Sequence, residues 1–335
     1  MENHKNILLD SHGRDHAYLR ISLIERCNLR CTYCMPEEGV SLSPKSHLMT
    51  YEEIYKIAKT FSDHGVTKIR LTGGEPLIRK DIPVILEKLA TLPVELSITS
   101  NAVIIDKFID VLKANGVNKI NVSLDSLDEG KFKHITRRNE FKKVYNNILL
   151  LVEEGFKVKV NAVLMKGFND NEIIDFINFT KDLPISVRFI EFMPFEGNKW
   201  DMGKMVSYAE VMKYVNEAFE NENFERLQDA PNDTAKNYKI KDYKGTFAII
   251  SSVTNPFCDS CNRLRLTANG QLKNCLFSSG ESDILTTLRA GKSIEPIIRK
   301  AVQAKFKVRG GMDTLKKLKE PKLHNNNRSM ITIGG

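Results

Sequence analysis

The sequence predicts an α/β protein: an open, partial TIM-type (β/α)6 barrel with a smaller C-terminal α+β part closing its open side. Three observations carry this. Short β-rich runs alternate with amphipathic helical stretches, a pattern that favours parallel strands joined by right-handed crossovers. Six such strand–helix units lie within residues 18–219, short of the eight in a complete barrel. The repeat then stops near residue 222, which places an expected boundary between a core at 1–222 and a C-terminal region at 223–335. A doubly wound sheet is the rival arrangement.

The elements follow in order. "YLRISLI" (18–24) reads as a strand leading into a cysteine loop. "TYEEIYKIAKTFSDHG" (50–65) reads as a helix, with Thr50 as N-cap, Glu53 completing a capping box and Gly65 ending it. Strands are expected at 68–72, 95–99, 119–124, 157–164 and 186–192. Helices are expected at 82–92, 106–116, 170–182 and 207–219, with a long helical region ending near Gly155. Beyond the repeat, "NYKI" and "TFAIISSV" suggest a hairpin through Lys244 and Gly245, followed by helical stretches at 282–291 and 294–305.

Polar residues end five strands: Thr72, Thr99, Ser123, Asn161 and Glu191. Ligands of α/β folds gather at the carboxyl ends of parallel strands, so these residues point to one functional rim. Each alone could be a strand cap; the coincidence over five strands is the argument.

The chain has 335 residues and is 41% hydrophobic, enough for a large core. No apolar run approaches the roughly 18 to 20 residues needed to span a bilayer. The first twenty residues are polar and lack the apolar segment of a signal peptide, so a cytoplasmic protein with reduced thiols is expected. The formal charge of +8 suits a phosphate-bearing partner, although much of the excess lies in the late "RKAVQAKFKVRGGMDTLKKLKEPK", which reads as a solvated face. Aromatic content of 8% and a single tryptophan give no platform for nucleic acid, and none is expected as a partner.

All six cysteines fall into two triples: Cys27, Cys31 and Cys34, then Cys258, Cys261 and Cys275. Structural zinc prefers four ligands, and neither triple has a fourth cysteine. A three-cysteine, one-histidine zinc site using His47 or a distant histidine stays open for either triple. An iron–sulfur cluster held by three cysteines would keep one iron free to bind a small molecule directly.

The C-x3-C-x2-C loop, with Tyr33 before its last cysteine, resembles the signature of the radical S-adenosylmethionine (SAM) superfamily. "LTGGEPL" (71–77) resembles its glycine-rich segment for the SAM amino group. "CDSCNRLRLTANGQLKNCLF", "RFIEFMP", "NVSLDSLD" and the terminal "IGG" are similar to the GTP 3′,8-cyclase family, the first enzymes of molybdenum cofactor biosynthesis. The resemblance covers essentially the whole chain. It implies two 4Fe–4S clusters, the first chelated by SAM and the second facing the guanine of GTP. It also implies hydrogen abstraction from the ribose C3′ and attack of that carbon on C8, as well as an external one-electron donor and a homodimer. The alternative is another radical SAM enzyme with an auxiliary cluster, acting on a peptide or other substrate.

Carried over residue by residue, the resemblance assigns Arg20, Arg70, Thr99, Lys166, Arg188, Arg263 and Arg265 to GTP. It assigns Tyr33, Gly74, Glu75, Ser123 and Met193 to SAM, and gives catalytic parts to Arg263, Arg265, Gly334 and Gly335. One departure bears on geometry. Where the family usually has Thr-Asn-Gly after the third strand, this chain has Ser100-Asn101-Ala102, and alanine disfavours a left-handed turn.

Overall fold

The computed structural model describes residues 6–35, 39–220, 223–320 and 327–334. Its core is the expected repeat: β1 (Tyr18–Ser22), α1 (Tyr51–Asp63), β2 (Lys68–Thr72), α2 (Ile82–Ala90), β3 (Glu95–Ser100), α3 (Ile109–Ala114) and β4 (Lys119–Ser123). α4 (Glu129–Thr136), α5 (Phe141–Glu153), β5 (Lys157–Leu164), α6 (Ile173–Asn178), β6 (Ser186–Glu191) and α7 (Tyr208–Ala218) complete it. β1 to β6 are parallel and adjacent in chain order.

Local chemistry sets these boundaries. Thr50 accepts from the Glu53 amide at 3.2 Å, while the Glu53 carboxylate accepts from the Thr50 amide at 2.7 Å, so the capping box forms. The long helical region before Gly155 is two helices, because Arg137 takes a left-handed conformation (φ 54°) after α4. The stretch expected at 170–182 is a 3₁₀ turn followed by the short α6.

The later strands are β7 (Phe224–Arg226), β8 (Lys236–Ile240), β9 (Thr246–Ile250), β10 (Arg263–Leu266), β11 (Gln271–Lys273) and β12 (Ser282–Asp283). They join the same sheet at both edges, giving twelve strands in the order β12-β11-β10-β1-β2-β3-β4-β5-β6-β9-β8-β7. β9 and β10 run parallel to β6 and β1, so the barrel curve is longer than the repeat alone supplies. β8 and β9 pair as the expected hairpin. α8 (Ile284–Arg289), α9 (Glu295–Gln303), α10 (Leu315–Leu318) and α11 (Met330–Ile333) follow. Arg289 pairs with Glu53 at 2.7 Å, tying α8 to the start of α1.

The outer strand faces and the helices bury one apolar cluster that includes Leu19, Ile21, Ile69, Leu71, Ile120, Val160, Val187 and Phe247. Among the described residues no helix is long and apolar enough to cross a membrane.

Candidate active site

Strand alternation decides what faces inward. The apolar residues above occupy one parity. The other parity carries Tyr18, Arg20 and Ser22 on β1, and Lys68, Arg70 and Thr72 on β2. It continues with Lys119, Asn121 and Ser123 on β4, and Lys159 and Asn161 on β5. The barrel interior is therefore polar and encloses a cavity of about 590 Å³ rather than a packed core. Among the described residues nine cationic side chains line it against two carboxylates, Asp125 and Asp233, and two of the nine, Lys68 and Lys119, pair with Glu95. Part of the charge excess thus lies inside the barrel, where composition could not place it.

The first cysteine triple sits at the carboxyl end of β1. Its loop packs directly on the glycine-rich segment: the Gly74 amide donates to Ile24 O at 2.7 Å and the Glu75 amide to Arg26 O at 2.8 Å. A Cβ on Gly74 would lie 2.1 Å from Arg26 O, so only glycine fits. Cys27, Cys31 and Cys34 all line the cavity and are free thiols. Burial pushes Cys27 up to about 11, aided by Glu75. Burial also pushes Cys31 and Cys34 up, and the other thiols and Asp125 add to the effect. Three desolvated sulfurs that disfavour one another's ionisation are suited to a shared positive centre.

Glu75 braces this end. Its carboxylate accepts from Leu77 N (3.1 Å), Ser100 Oγ (2.9 Å) and Asn101 N (2.7 Å), and burial raises it to about 7. Asn101 in turn donates to Asn28 Oδ1 at 2.7 Å and lies 3.5 Å from Cys27 Sγ. The next residue, Ala102, holds the left-handed conformation (φ 59°) that glycine would adopt freely. The loop thus keeps its turn despite the alanine, stabilised by Asn147 Nδ2 donating to Ala102 O at 2.7 Å. Opposite, Tyr33 donates to Asp125 at 2.7 Å. Burial raises Asp125 to about 6.

The second triple flanks β10, the parallel neighbour of β1, with Arg20 beside Arg265. Cys258, Cys261 and Cys275 line the same cavity as the first triple. The surroundings here are cationic: Lys305 Nζ lies 3.5 Å from Cys261 Sγ, and the Arg309 amide 3.4 Å from Cys258 Sγ. Burial pushes Cys261 up, but Lys305 and Arg263 bring it below its ordinary value overall. Among the described residues, no three His, Cys, Asp or Glu side chains gather around a single-ion centre. Among the described residues no histidine lines the cavity, and His47 is exposed on a 3₁₀ turn. Among the described residues each triple therefore lacks the fourth ligand that structural zinc prefers.

Between the triples the wall is strongly positive. Burial alone would raise Tyr18, yet Arg70, Arg20, Arg263 and Lys68 bring it down overall. Buried Arg188 Nε, Arg263 Nη1, Thr99 Oγ1, Asn121 Oδ1 and Asn161 Oδ1 have no hydrogen-bond partner among the described residues, as befits groups awaiting a polar ligand.

Comparison with known proteins decides the family. A profile described as "Radical SAM superfamily" matches residues 21–180, and one described as "Molybdenum Cofactor Synthesis C" matches 185–310. The Arabidopsis thaliana protein named GTP 3′,8-cyclase, mitochondrial, is 47% identical over 98% of this chain and 84% of its own length. The chain belongs to the GTP 3′,8-cyclase family of radical SAM proteins. Members of that superfamily bind a 4Fe–4S cluster and SAM, and the first triple is the site that fits them.

Other similar proteins agree. The Desulforamulus reducens GTP 3′,8-cyclase is 42% identical over 89% of this chain and 94% of its own. Mouse molybdenum cofactor biosynthesis protein 1 is 46% identical over 98% of this chain but 51% of its own. The chain thus spans about half the length of the animal relatives it matches. Streptococcus suis SuiB, in the crystal structure bound to S-adenosylmethionine, shares the fold with a TM-score of 0.62 at 18% identity, covering 92% of this chain and 73% of that one.

Most residues assigned through the GTP 3′,8-cyclase resemblance converge on the cavity. Arg20, Arg70, Thr99, Arg188, Arg263, Arg265, Tyr33, Gly74, Ser123 and Met193 all line it. Three assignments differ. Lys166 does not reach the wall: it is exposed and donates to Glu210 at 2.6 Å, because it lies beyond the end of β5. Glu75 is fully buried behind the wall and acts as the brace described above. Gly334 does not line the cavity; its carbonyl accepts from Arg265 Nη1 at 2.8 Å, and a Cβ there would meet Thr72 Oγ1 at 2.5 Å. Gly335 lies outside the described residues. Glu191, one of the five strand-end residues, has the outward parity and accepts from Val253 N at 2.7 Å and Thr254 N at 2.9 Å. Lys68, Lys119, Lys159 and Asp125 line the cavity and were missed. The signal that finds them is parity, since each lies two or four residues from an inward neighbour.

Proposed function

We propose that this chain converts GTP to 3′,8-cyclo-7,8-dihydro-GTP, the first step of molybdopterin biosynthesis. The observation that carries this is one cavity with a three-cysteine site on each side and nine cationic residues in its wall. A triphosphate of charge near −4 suits such a wall, whereas a peptide backbone does not.

In this reading Cys27, Cys31 and Cys34 hold one 4Fe–4S cluster and Cys258, Cys261 and Cys275 a second. When bound, the first cluster and SAM supply one-electron cleavage of the sulfonium, and with it a hydrogen-abstracting radical. Tyr33, Gly74, Ser123 and Met193 orient SAM. Arg70, Arg188 and Lys159 take the triphosphate, while Arg263 and Arg265 hold the nucleoside end near the second site and the Gly334 carbonyl. The barrel wall limits the access of water to the reacting atoms. An external one-electron donor is required, and a homodimer is carried over from the family.

The test is formation of 5′-deoxyadenosine by anaerobically reconstituted protein with SAM and reductant, run with GTP, ATP and no nucleotide. GTP should raise the yield at least about tenfold over either control, the effect of about 1.4 kcal/mol of preferential recognition. Equal yields in all three would reject GTP as the substrate.

Lys159 gives a pH signature. Burial, then Arg188 and Arg70, bring its ammonium down to about 7. Bound triphosphate supplies the missing counter-charge and raises it again. At about pH 8, binding should therefore take up roughly one proton at Lys159. Below about pH 6 the lysine is already charged and takes up none. Affinity consequently falls as pH rises through 7. Calorimetry in buffers of different ionisation enthalpy checks this. Lys159→Met should abolish the uptake, and an unchanged uptake in that variant would remove Lys159 from the triphosphate site.

A further inference from the structure

We propose that Lys305 is a positioning residue whose buried ammonium, set against Cys261, holds the cluster at the second triple at a higher reduction potential than the cluster at the first. This rests on the reading that the second triple binds an iron–sulfur cluster.

Lys305 follows α9 and is only 3% exposed. Its Nζ has two described partners, Cys261 Sγ at 3.5 Å and Arg263 O at 2.9 Å. Neither is a carboxylate. Asp10, buried nearby on the N-terminal segment, is already engaged by Arg14 at 2.6 Å. A buried ammonium needs an anion, and the thiolate of Cys261 is the partner the geometry provides.

The lysine is held in place through its backbone. Arg14 donates to the carbonyls of Phe306 (2.9 Å), Lys307 (2.8 Å) and Cys258 (2.8 Å), joining the 305–309 segment to the second cysteine loop. His12 Nε2 lies 3.1 Å from Lys305 O. From the same segment the Arg309 amide approaches Cys258 Sγ at 3.4 Å.

The first triple is built differently. The N–H groups at Cys27 Sγ are neutral, Leu29 N at 3.4 Å and Asn101 Nδ2 at 3.5 Å, while the nearby Arg30 guanidinium donates to the Cys27 carbonyl and not to its sulfur. The buried carboxyls Glu75 and Asp125 belong to the same end of the barrel. Each cluster couple gains one electron from an external reductant, with no bond made or broken. A cation beside the sulfurs favours the more negative, reduced state, and carboxylates disfavour it. At one applied potential the second site is therefore the more reduced.

The experiment is an electron paramagnetic resonance redox titration of the reconstituted protein, with dithionite and mediators and without SAM or GTP. The wild type should show two couples, the second-site couple higher. Lys305→Met should lower that couple enough to change its reduced-to-oxidised ratio at least tenfold at fixed potential, about 59 mV for one electron. The first couple should stay in place, and Lys305→Arg should restore most of the shift. A purely structural lysine would alter iron content without this charge-dependent rescue. Second-site and first-site couples of equal potential in the wild type overturn the inference even if Lys305→Met cannot be loaded with iron. So does an unmoved second couple in a loaded variant. A single cluster in the wild type instead overturns the reading on which the inference rests.

Discussion

Gly74→Ala is expected to strip the first cysteine loop of its cluster and reduce SAM cleavage at least about 100-fold, the scale of a 1 Å misplacement at a reacting centre. The added Cβ would lie 2.1 Å from Arg26 O, 2.5 Å from Arg26 C and 3.1 Å from Cys27 N. These are backbone atoms and cannot rotate away. The two segments are also pinned by hydrogen bonds from the Gly74 and Glu75 amides to Ile24 O and Arg26 O at 2.7 and 2.8 Å. Relief therefore requires the cysteine loop to move, at a cost of about 1–3 kcal/mol or more. The second site is built on β10, β11 and the 305–309 segment and should keep its iron. Iron content, Mössbauer spectra and 5′-deoxyadenosine yield measure the three parts of this result. A variant with an intact first cluster and wild-type cleavage would show that close backbone contact is not what the glycine provides.

Much of this architecture was legible because its signals are local. The six strand–helix units follow from periodicity, and the two cysteine triples from spacing. Features that depend on distant parts of the chain were not legible. Nothing in "TFAII" or "RLRL" says that one strand will extend the sheet beside β6 and the other beside β1. The brace at Glu75 depends on Ser100 and Asn101, a loop that only the fold brings near. Lys166 is assigned to GTP only through the family resemblance, yet it lies past the end of β5 and pairs with Glu210. Lys159 was readable in principle. It is two residues before Asn161, on the inward parity, but "KVKV" looks equally like a strand with one solvent face. The same parity rule turns Glu191 outward once Arg188 is placed inward. Buried cations on an inner strand face are costly without a partner, so composition alone assigns them to the surface.

The second large effect concerns the other triple. Replacing Cys258, Cys261 and Cys275 together by alanine is expected to remove one cluster and abolish GTP-dependent cyclisation, while leaving the first cluster and its slow, nucleotide-independent SAM cleavage. The reason is separate support: the first loop is braced by Gly74, Glu75 and Asn101, the second by Arg14, Lys305 and Arg309. The reciprocal replacement of Cys27, Cys31 and Cys34 should spare the second cluster. Mössbauer spectroscopy with ⁵⁷Fe on anaerobically reconstituted wild type and both triple variants tests the central claim most directly, that two independent three-cysteine sites open on one cavity. The account predicts about eight irons in the wild type and about four in each variant, all in 4Fe–4S clusters. About four irons in the wild type, or an iron count unchanged by loss of the second triple, would contradict it.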